Sequence, residues 1–292
     1  MIRCRWPGGT SSKINGVPSL SDTLVYIRGG GDLASGVAHR LHSAGFTVMI
    51  AELAQPLCVR RPVSFAEAVY TGAHTVESVS ARLAPDPLLG MAYAVMGEIP
   101  VVVDPDGAAR QRLHPGVVVD ARLAKRKLDT TLNDAPLVVA LGPGFVAGQD
   151  CHAVVETQRG HDLGRVIWQG GAAADTGQPE PVRGLGPQRV LRAARAGVFR
   201  ARCQIGDQIP AGEIVAFVDG DPVIAQCAGV VRGLVHDGVP VEAGLKVGDI
   251  DPRGVRAHCF TISDKARAVA GGVLEAVLAR QHVWRPAEVR EP

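Results

Sequence analysis

The fold of this chain is decided by residues 24–34, which read LVYIRGGGDLA. The apolar run at the start predicts a strand, and the glycines lead into apolar positions that recur at helical spacing. Gly45 ends this helix, since glycine is common just past a helix C-terminus. A second strand follows and ends at Glu52. The sequence therefore predicts a unit of strand, glycine turn, helix and strand.

The glycine turn has the pattern of a phosphate-binding loop, Gly29-x-Gly31-x-x-Ala34. The first glycine permits a tight turn, the second lets the backbone approach a diphosphate, and the helix N-terminus carries partial positive charge. Glu52 would accept hydrogen bonds from a ribose diol. The predicted cofactor-binding residues here are Gly29, Gly30, Gly31, Asp32, Ala34 and Glu52. The alternative is that the glycines only turn the strand tightly into the helix.

Asp32 argues against simple dinucleotide binding, because its carboxylate would lie near phosphate. Aspartate is a preferred helix N-cap, so Asp32 would cap the helix or hold a cation beside the phosphates. Arg60 and Arg61, one loop beyond the second strand, are candidate phosphate ligands, and the alternative for them is a solvated surface. Nearby Cys58 is either a thiolate whose pKa these arginines lower or a small buried apolar residue.

A second glycine-rich turn follows the apolar run 137–141. Gly142 and Gly144 would close over the other half of a nucleotide or pterin ligand, or would form an ordinary tight turn. The polar stretch 155–165 would bind or protonate a ligand, or would be an exposed loop. No protease or hydrolase signature and no metal-ligand spacing appears, so no metal site is predicted.

The remaining apolar runs predict the fold class. Runs ending in aspartate or glycine at 101–104, 117–120 and 137–141 are typical of a parallel sheet covered on both faces. From residue 198 onward short β-type segments replace them, and a pattern G-x-x-[IV]-x-A-G-x-x-V occurs at 206–215 and again at 238–247. Two such halves resemble the flattened barrel of biotinyl and lipoyl carrier domains, although the intervening hairpin has no lysine.

We therefore predict an α/β protein with a Rossmann-like parallel-sheet domain, a β-rich barrel-sandwich domain and a C-terminal helix. The boundaries that follow from composition and patterning are a flexible lead-in at 1–22, the sheet domain at 23–195, the β-rich domain at 196–260, and the helix and tail at 261–292.

Composition excludes several classes of protein. The 292 residues are 46% hydrophobic and 21% charged, which is ordinary for a folded chain. A net charge of +2 gives no basic field for nucleic acid, and no apolar run is long enough for a bilayer. The six cysteines include no C-x-x-C pair, and the first twenty residues do not read as a secretory signal. We expect a cytoplasmic protein with free thiols.

Longer strings of residues resemble a known family. They are RGGGDLASGVAHRL at 28–41, RRPVSFAEAVY at 60–70, GPGF at 142–145, VETQRGH at 155–161, GRVIW at 164–168, KVGDIDPR at 246–253 and ISDKAR at 262–267. These strings are similar to the YqeB-type accessory proteins of selenium-dependent molybdenum hydroxylase systems. The resemblance covers nearly all of residues 24–282. The family is in turn distantly similar to the XdhC/CoxI accessory factors.

The resemblance implies a maturation role, in which the chain helps to install or activate the molybdenum–pterin cofactor of a hydroxylase. The implied partners are the hydroxylase apoenzyme and a nucleotide or pterin ligand, with molybdopterin dinucleotide or NAD(P) as candidate cofactors. The resemblance supplies no catalytic residues, so whether the chain is an enzyme stays open. Whether it forms a homo-oligomer also stays open. The alternatives are an NAD(P)-dependent oxidoreductase and a non-catalytic scaffold with a vestigial cleft.

Overall fold

The computed structural model describes residues 19–284. Most of the predicted flexible lead-in, residues 1–18, and the end of the predicted tail, residues 285–292, lie outside this range. The last residues of the predicted lead-in form a 3-10 helix, Leu20–Asp22, and the side chain of Ser19 caps it.

The described residues contain six α-helices and nineteen strands. The helices are α1 Asp32–Ser43, α2 Ala68–Thr71, α3 Pro87–Val95, α4 Ala109–Leu113, α5 Asp264–Ala279 and α6 Gln281–Trp284. The first ten strands are β1 Leu24–Arg28, β2 Thr47–Glu52, β3 Ala73–Val76, β4 Val79–Ala84, β5 Ile99–Val103, β6 Val117–Asp120, β7 Leu137–Leu141, β8 Val146–Ala147, β9 Ala153–Val155 and β10 Val166–Ile167. The others are β11 Gly170–Gly171, β12 Val190–Arg192, β13 Gly197–Ala201, β14 Gln208–Ile209, β15 Ile214–Val218, β16 Asp221–Ile224, β17 Gly229–Leu234, β18 Pro240–Val241 and β19 Lys246–Asp251.

The predicted fold class is wrong, and the large sheet gives the first reason. It has nine strands in the order β10-β9-β7-β6-β1-β2-β5-β4-β3 and is mixed rather than parallel. Its interior pairs are parallel, but β3 pairs antiparallel with β4, and β10 pairs antiparallel with β9. Only residues 77–78 join β3 to β4, which is too short for the crossover that parallel strands require.

The β-rich residues do not match the predicted barrel-sandwich class either. They form two separate four-stranded sheets, β12-β19-β17-β14 and β16-β15-β13-β18, which share one apolar core. The repeated sequence still has a structural counterpart. Each copy supplies a short strand and a longer one, β14 with β15 and β18 with β19, and the glycines that open both copies have positive φ.

The C-terminal helix belongs to the layer of the large sheet rather than standing apart. Helix α5 packs on α1, and both contribute to the core that covers one face of this sheet. The approach is close, because a Cβ at Gly36 of α1 would lie 2.9 Å from the Cβ of Ala266. Ser263 is the N-cap of α5, and its side chain accepts a hydrogen bond from the Ala266 amide.

Candidate functional site

The glycine turn lies where the order of the large sheet changes direction. From β1 the chain adds β2 and β5 on one side, and it later adds β6 and β7 on the other side. In open α/β sheets such a point leaves a crevice beyond the carboxyl ends of the strands, in which ligands bind. A cleft of about 490 Å³ occupies this place, between Gly29, Glu52, Asp104 and Arg122. We call it the glycine-turn cleft.

The turn needs glycine for two physical reasons. Gly29 has a φ of +98°, and a Cβ there would lie 3.2 Å from the carbonyl oxygen of Ala121. At Gly30 a Cβ would lie 3.0 Å from the Ala66 amide nitrogen. Gly31 is the N-cap of α1, so the prediction that Asp32 caps this helix is wrong. Asp32 is its first residue, and a Cβ at Gly31 would meet only the sulfur of Cys58, at 3.6 Å.

The carboxylate of Glu52 is bonded to the turn itself. Its Oε2 accepts from the Gly30 amide at 2.6 Å and its Oε1 accepts from the Leu53 amide at 2.7 Å. Burial raises the pKa of Glu52, and these two hydrogen bonds oppose that effect. Glu52 therefore holds the end of β2 against the glycine turn while lining the cleft, and its contact with a ribose stays a prediction.

Arg60 joins the glycine turn to the C-terminal part of the chain. Its side chain is buried, and Nη1 lies 2.9 Å from Asp32 Oδ2. Its Nη2 donates to the carbonyl oxygens of His258 and Thr261, at 2.8 and 3.1 Å. The guanidinium thus connects the start of α1 with the segment that precedes α5.

Arg61 makes a second connection of this kind. Its Nε donates to the Leu234 carbonyl on β17 at 2.9 Å, and its Nη1 pairs with Glu67 at 2.9 Å. Both arginines therefore hold carbonyl groups that lie far away in the sequence. A phosphate grip by either residue stays a prediction, and it would have to compete with these bonds.

The second glycine turn lies two strands away from β1 and packs against neighbouring loops. Gly142 and Gly144 have positive φ, and Cβ atoms there would lie 2.5 Å from Thr157 Oγ1 and from the Arg126 amide nitrogen. Glycine is required at both positions by this crowding. Pro143 of this turn lines a cavity, and that cavity is not the glycine-turn cleft.

The sequence did not predict a buried polar network that lies under the cleft. Arg28 donates to Thr130 Oγ1 at 2.9 Å and pairs with Asp129 at 2.8 Å. Asp120, fully buried at the end of β6, pairs with Arg122 at 2.6 Å and accepts from Thr130 Oγ1 at 2.6 Å. The aspartates at the ends of strands hinted at this network. The arginines that pair with them could not be identified from their spacing in the sequence.

The pKa values of Asp129 and Tyr26 are both shifted by their surroundings at the base of the cleft. Burial would raise the pKa of Asp129, but the hydrogen bonds from Arg28 and Arg122 outweigh it and hold this pKa well below its usual range. The pKa of Tyr26 lies well above its usual range because of burial and a short hydrogen bond to Asp104. The base of the cleft is therefore a set of charges that compensate one another.

A larger cavity of about 690 Å³ lies next to the glycine-turn cleft. We call it the junction cavity, because its wall combines the start of α1, the β-rich sheets and the start of α5, at Asp32, Arg232 and Lys265. The two cavities share wall residues, among them Cys58 and Leu123. A ligand longer than the glycine-turn cleft would therefore extend into the junction cavity.

The interpretation of Cys58 as an activated thiolate is wrong. Burial raises the pKa of this thiol well above its usual range, and the negative charges of Glu52 and Glu67 raise it further. The neighbouring arginines do not offset these effects, since Arg60 and Arg61 are already paired with carboxylates. Cys58 is a protonated thiol in the wall shared by both cavities.

The polar stretch 155–165 is part of the wall rather than an open acid–base site. Glu156 is buried and accepts from the amides of Thr157, Gln158 and Ala173, at 2.7, 2.7 and 2.8 Å. Arg159 forms a two-pronged pair with Asp264, at 2.7 and 2.8 Å. These contacts fix the stretch against the start of α5.

Within residues 19–284 no three His, Cys, Asp or Glu side chains are grouped so that they could hold a metal ion. None of the helices described there is long and apolar enough to cross a bilayer.

The chain is similar in sequence to a protein of Escherichia coli strain K12 described as the uncharacterized protein YqeB. The two are 48% identical over 276 residues, which is 94% of this chain and 51% of that protein. The chain thus spans about half the length of this relative. The resemblance to YqeB-type proteins is confirmed to that extent, and no family model matches the chain.

Solved structures match only weakly. An aspartoacylase family protein from Mesorhizobium loti matches with a TM-score of 0.25 and 10% identity, over 78% of this chain and 84% of its own. A succinylglutamate desuccinylase from a Silicibacter species matches with a TM-score of 0.24 and 15% identity, over 78% of this chain and 84% of its own. The product-bound ectoine utilization protein EutE from Ruegeria pomeroyi matches with a TM-score of 0.22 and 12% identity, over 77% of this chain and 56% of its own.

Proposed function

We propose that this chain serves the maturation of a molybdenum hydroxylase, and that it binds a nucleotide or a molybdopterin-type cofactor in the glycine-turn cleft. The position of that cleft carries the ligand part of the proposal. It lies beyond the carboxyl ends of β1 and β6, where the strand order changes direction, which is where ligands of open α/β sheets bind. The maturation role rests on the resemblance to YqeB-type accessory proteins.

The wall of the cleft suits the nucleoside or pterin end of such a ligand. Glu52 and Asp104 offer carboxylate oxygens to hydroxyl or amino groups, while Leu53, Leu57 and Leu123 offer apolar surface. Carboxylates would repel the phosphates of the same ligand. We therefore place the phosphates toward Cys58 and Leu123 in the shared wall, from which the more cationic junction cavity is reached.

Binding is tested best with Gly31→Asp. A Cβ at this position meets only the Cys58 sulfur, at 3.6 Å, so the new carboxylate enters the cleft without displacing backbone. We expect the variant to lose binding of molybdopterin dinucleotide, or of NAD(P) if that is the ligand. The matched control is Gly271→Asp on α5, where a Cβ would meet nothing within 4 Å.

The protein should first be purified gently, and any ligand released from it identified by mass spectrometry. Calorimetry with that ligand then compares wild type with both variants. Equal binding by wild type and Gly31→Asp would reject the cleft as the site. Hydride turnover with small substrates would support the oxidoreductase alternative. Absence of any nucleotide binding, together with co-purification of a hydroxylase, would support the scaffold.

A further inference from the structure

The junction cavity carries more positive than negative charge. Nine arginine and lysine side chains and five aspartate and glutamate side chains line it. Several of these groups pair at the rim, as Lys125 does with Asp175 and Arg159 with Asp264. The surplus lies around Asp249 and at Lys265.

Asp249 is a single buried carboxylate that faces three cations. Arg189 Nη1 lies 2.6 Å from its Oδ1, Lys246 Nζ lies 3.4 Å from the same oxygen, and Arg232 Nη1 lies 3.6 Å from its Oδ2. One negative charge cannot neutralise three positive charges. The wall formed by β17 and β19 therefore keeps a positive surplus inside the cavity.

Arg232 and Arg60 add a pair of like charges. Burial lowers the pKa of Arg232 and the charge of Arg60 lowers it further, while the carboxylates of Asp249, Asp32 and Asp251 act in the opposite direction. The Nε atoms of both are buried and have no hydrogen-bond partner among the described residues. Buried donors are normally satisfied, and an oxyanion between two guanidinium groups is a common way to satisfy them.

Lys265 provides an independent sign of the same kind. It lies in the first turn of α5, where the helix dipole disfavours a positive charge. Lys265 lines the cavity and forms no ion pair within residues 19–284. Burial lowers the pKa of Lys265 and the nearby charge of Arg159 lowers it further, against the opposing effect of Asp32 and Glu180. An anion would compensate both the lysine and the helix N-terminus.

We infer that the junction cavity binds an oxyanion, specifically a phosphate group, held by Arg232 and Lys265 beside Arg60. The group is either free inorganic phosphate or the phosphate of a larger ligand whose other end lies in the glycine-turn cleft. As a site for free phosphate it goes beyond the proposed function, and as a site for the phosphate of a larger ligand it rests on that function. Its cations come from β17 and α5 rather than from the glycine turn.

The test is calorimetry of the full chain at low ionic strength with three probes, namely inorganic phosphate, ADP and adenosine. Lys265→Met removes the charge and keeps an unbranched side chain that suits a helix. Arg232→Gln is the second variant. The controls are Lys127→Met and Arg200→Gln, whose side chains are 67% and 64% exposed and do not line the cavity.

We expect each cavity variant to weaken the affinity for phosphate by about tenfold, and each control to bind as wild type does. Weakening with both phosphate and ADP supports the site as one for the free ion. Weakening with ADP alone, while adenosine binding stays unchanged, supports a phosphate carried by a larger ligand. If Lys265→Met binds both probes as wild type does, or if wild type binds neither, the inference is wrong.

The same titrations separate this site from the proposed function. Gly31→Asp should impair binding of adenosine and ADP and leave binding of inorganic phosphate unchanged. Lys265→Met should impair binding of inorganic phosphate and leave binding of adenosine unchanged. If Arg232→Gln does not fold, as judged by its thermal unfolding, Lys265→Met alone decides the outcome, because its side chain is only partly buried.

Discussion

Arg60 Nη1 lies 2.9 Å from Asp32 Oδ2, and Nη2 of the same guanidinium donates to the carbonyl oxygens of His258 and Thr261. One side chain thus connects the first turn of α1, the loop after β2 and the segment before α5. Arg60 thereby forms part of the wall of the junction cavity.

Arg60→Met is therefore expected to destabilise the protein. It removes the bonds of a buried guanidinium and leaves the Asp32 carboxylate without its partner, at a cost of about 2–3 kcal/mol in the free energy of unfolding. Urea unfolding measures this cost. The matched control is Arg200→Met, in an exposed pair with Asp237, which should change the free energy of unfolding by less than about 0.5 kcal/mol. Equal losses in the free energy of unfolding for Arg60→Met and Arg200→Met would show that the contacts of Arg60 do not stabilise the fold.

The contact between α1 and α5 predicts opposite effects for two Gly→Ala substitutions. In Gly36→Ala the new methyl group would lie 2.9 Å from the Cβ of Ala266, so overpacking should destabilise the protein by about 1–2 kcal/mol. Gly271→Ala adds a methyl group to open space on α5 and should stabilise the protein by about 0.5–1 kcal/mol. Thermal unfolding of both variants checks the two signs, and a stabilised Gly36→Ala would contradict the close packing of α1 on α5.

The network around Asp129 predicts a loss of stability in acid. Its folded pKa is depressed below the ordinary value of 3.8, so the unfolded chain takes up the proton first as the pH falls. The contribution of Asp129 to the free energy of unfolding is fully present above its ordinary pKa. It is lost progressively as the pH falls below about 4. Asp129→Asn should therefore lose less stability than wild type over that interval. Urea midpoints measured against pH test this, and parallel curves for the two proteins would reject it.

Cys58 is expected to react slowly with alkylating reagents in the folded protein. Burial and neighbouring carboxylates raise the pKa of its thiol, and the thiolate is the reactive form. At mildly alkaline pH, iodoacetamide should label Cys58 much faster after unfolding in urea than before, as peptide mass spectrometry can follow. Rapid labelling in the native protein would mean that the thiol is activated after all.

Much of the local structure follows from the sequence alone. The apolar run at 24–27, the glycines after it and the helical spacing from Leu33 define β1 and α1 with an error of a residue or two. Ser263 as the N-cap of α5, and the positive φ at Gly206 and Gly238, are equally local. These features depend on side-chain periodicity and on the φ values open to a residue, which neighbouring residues decide.

Only the tertiary structure decided how these pieces combine. The antiparallel edges of the large sheet follow from which strands meet, and the packing of α5 on α1 brings together residues more than two hundred positions apart in the chain. The partners of Arg60 and Arg61 are mostly distant carbonyl oxygens, which every residue carries and no pattern can single out. The glycine turn was therefore predictable because its constraint is local, whereas the junction cavity, assembled from α1, β17 and α5, was not.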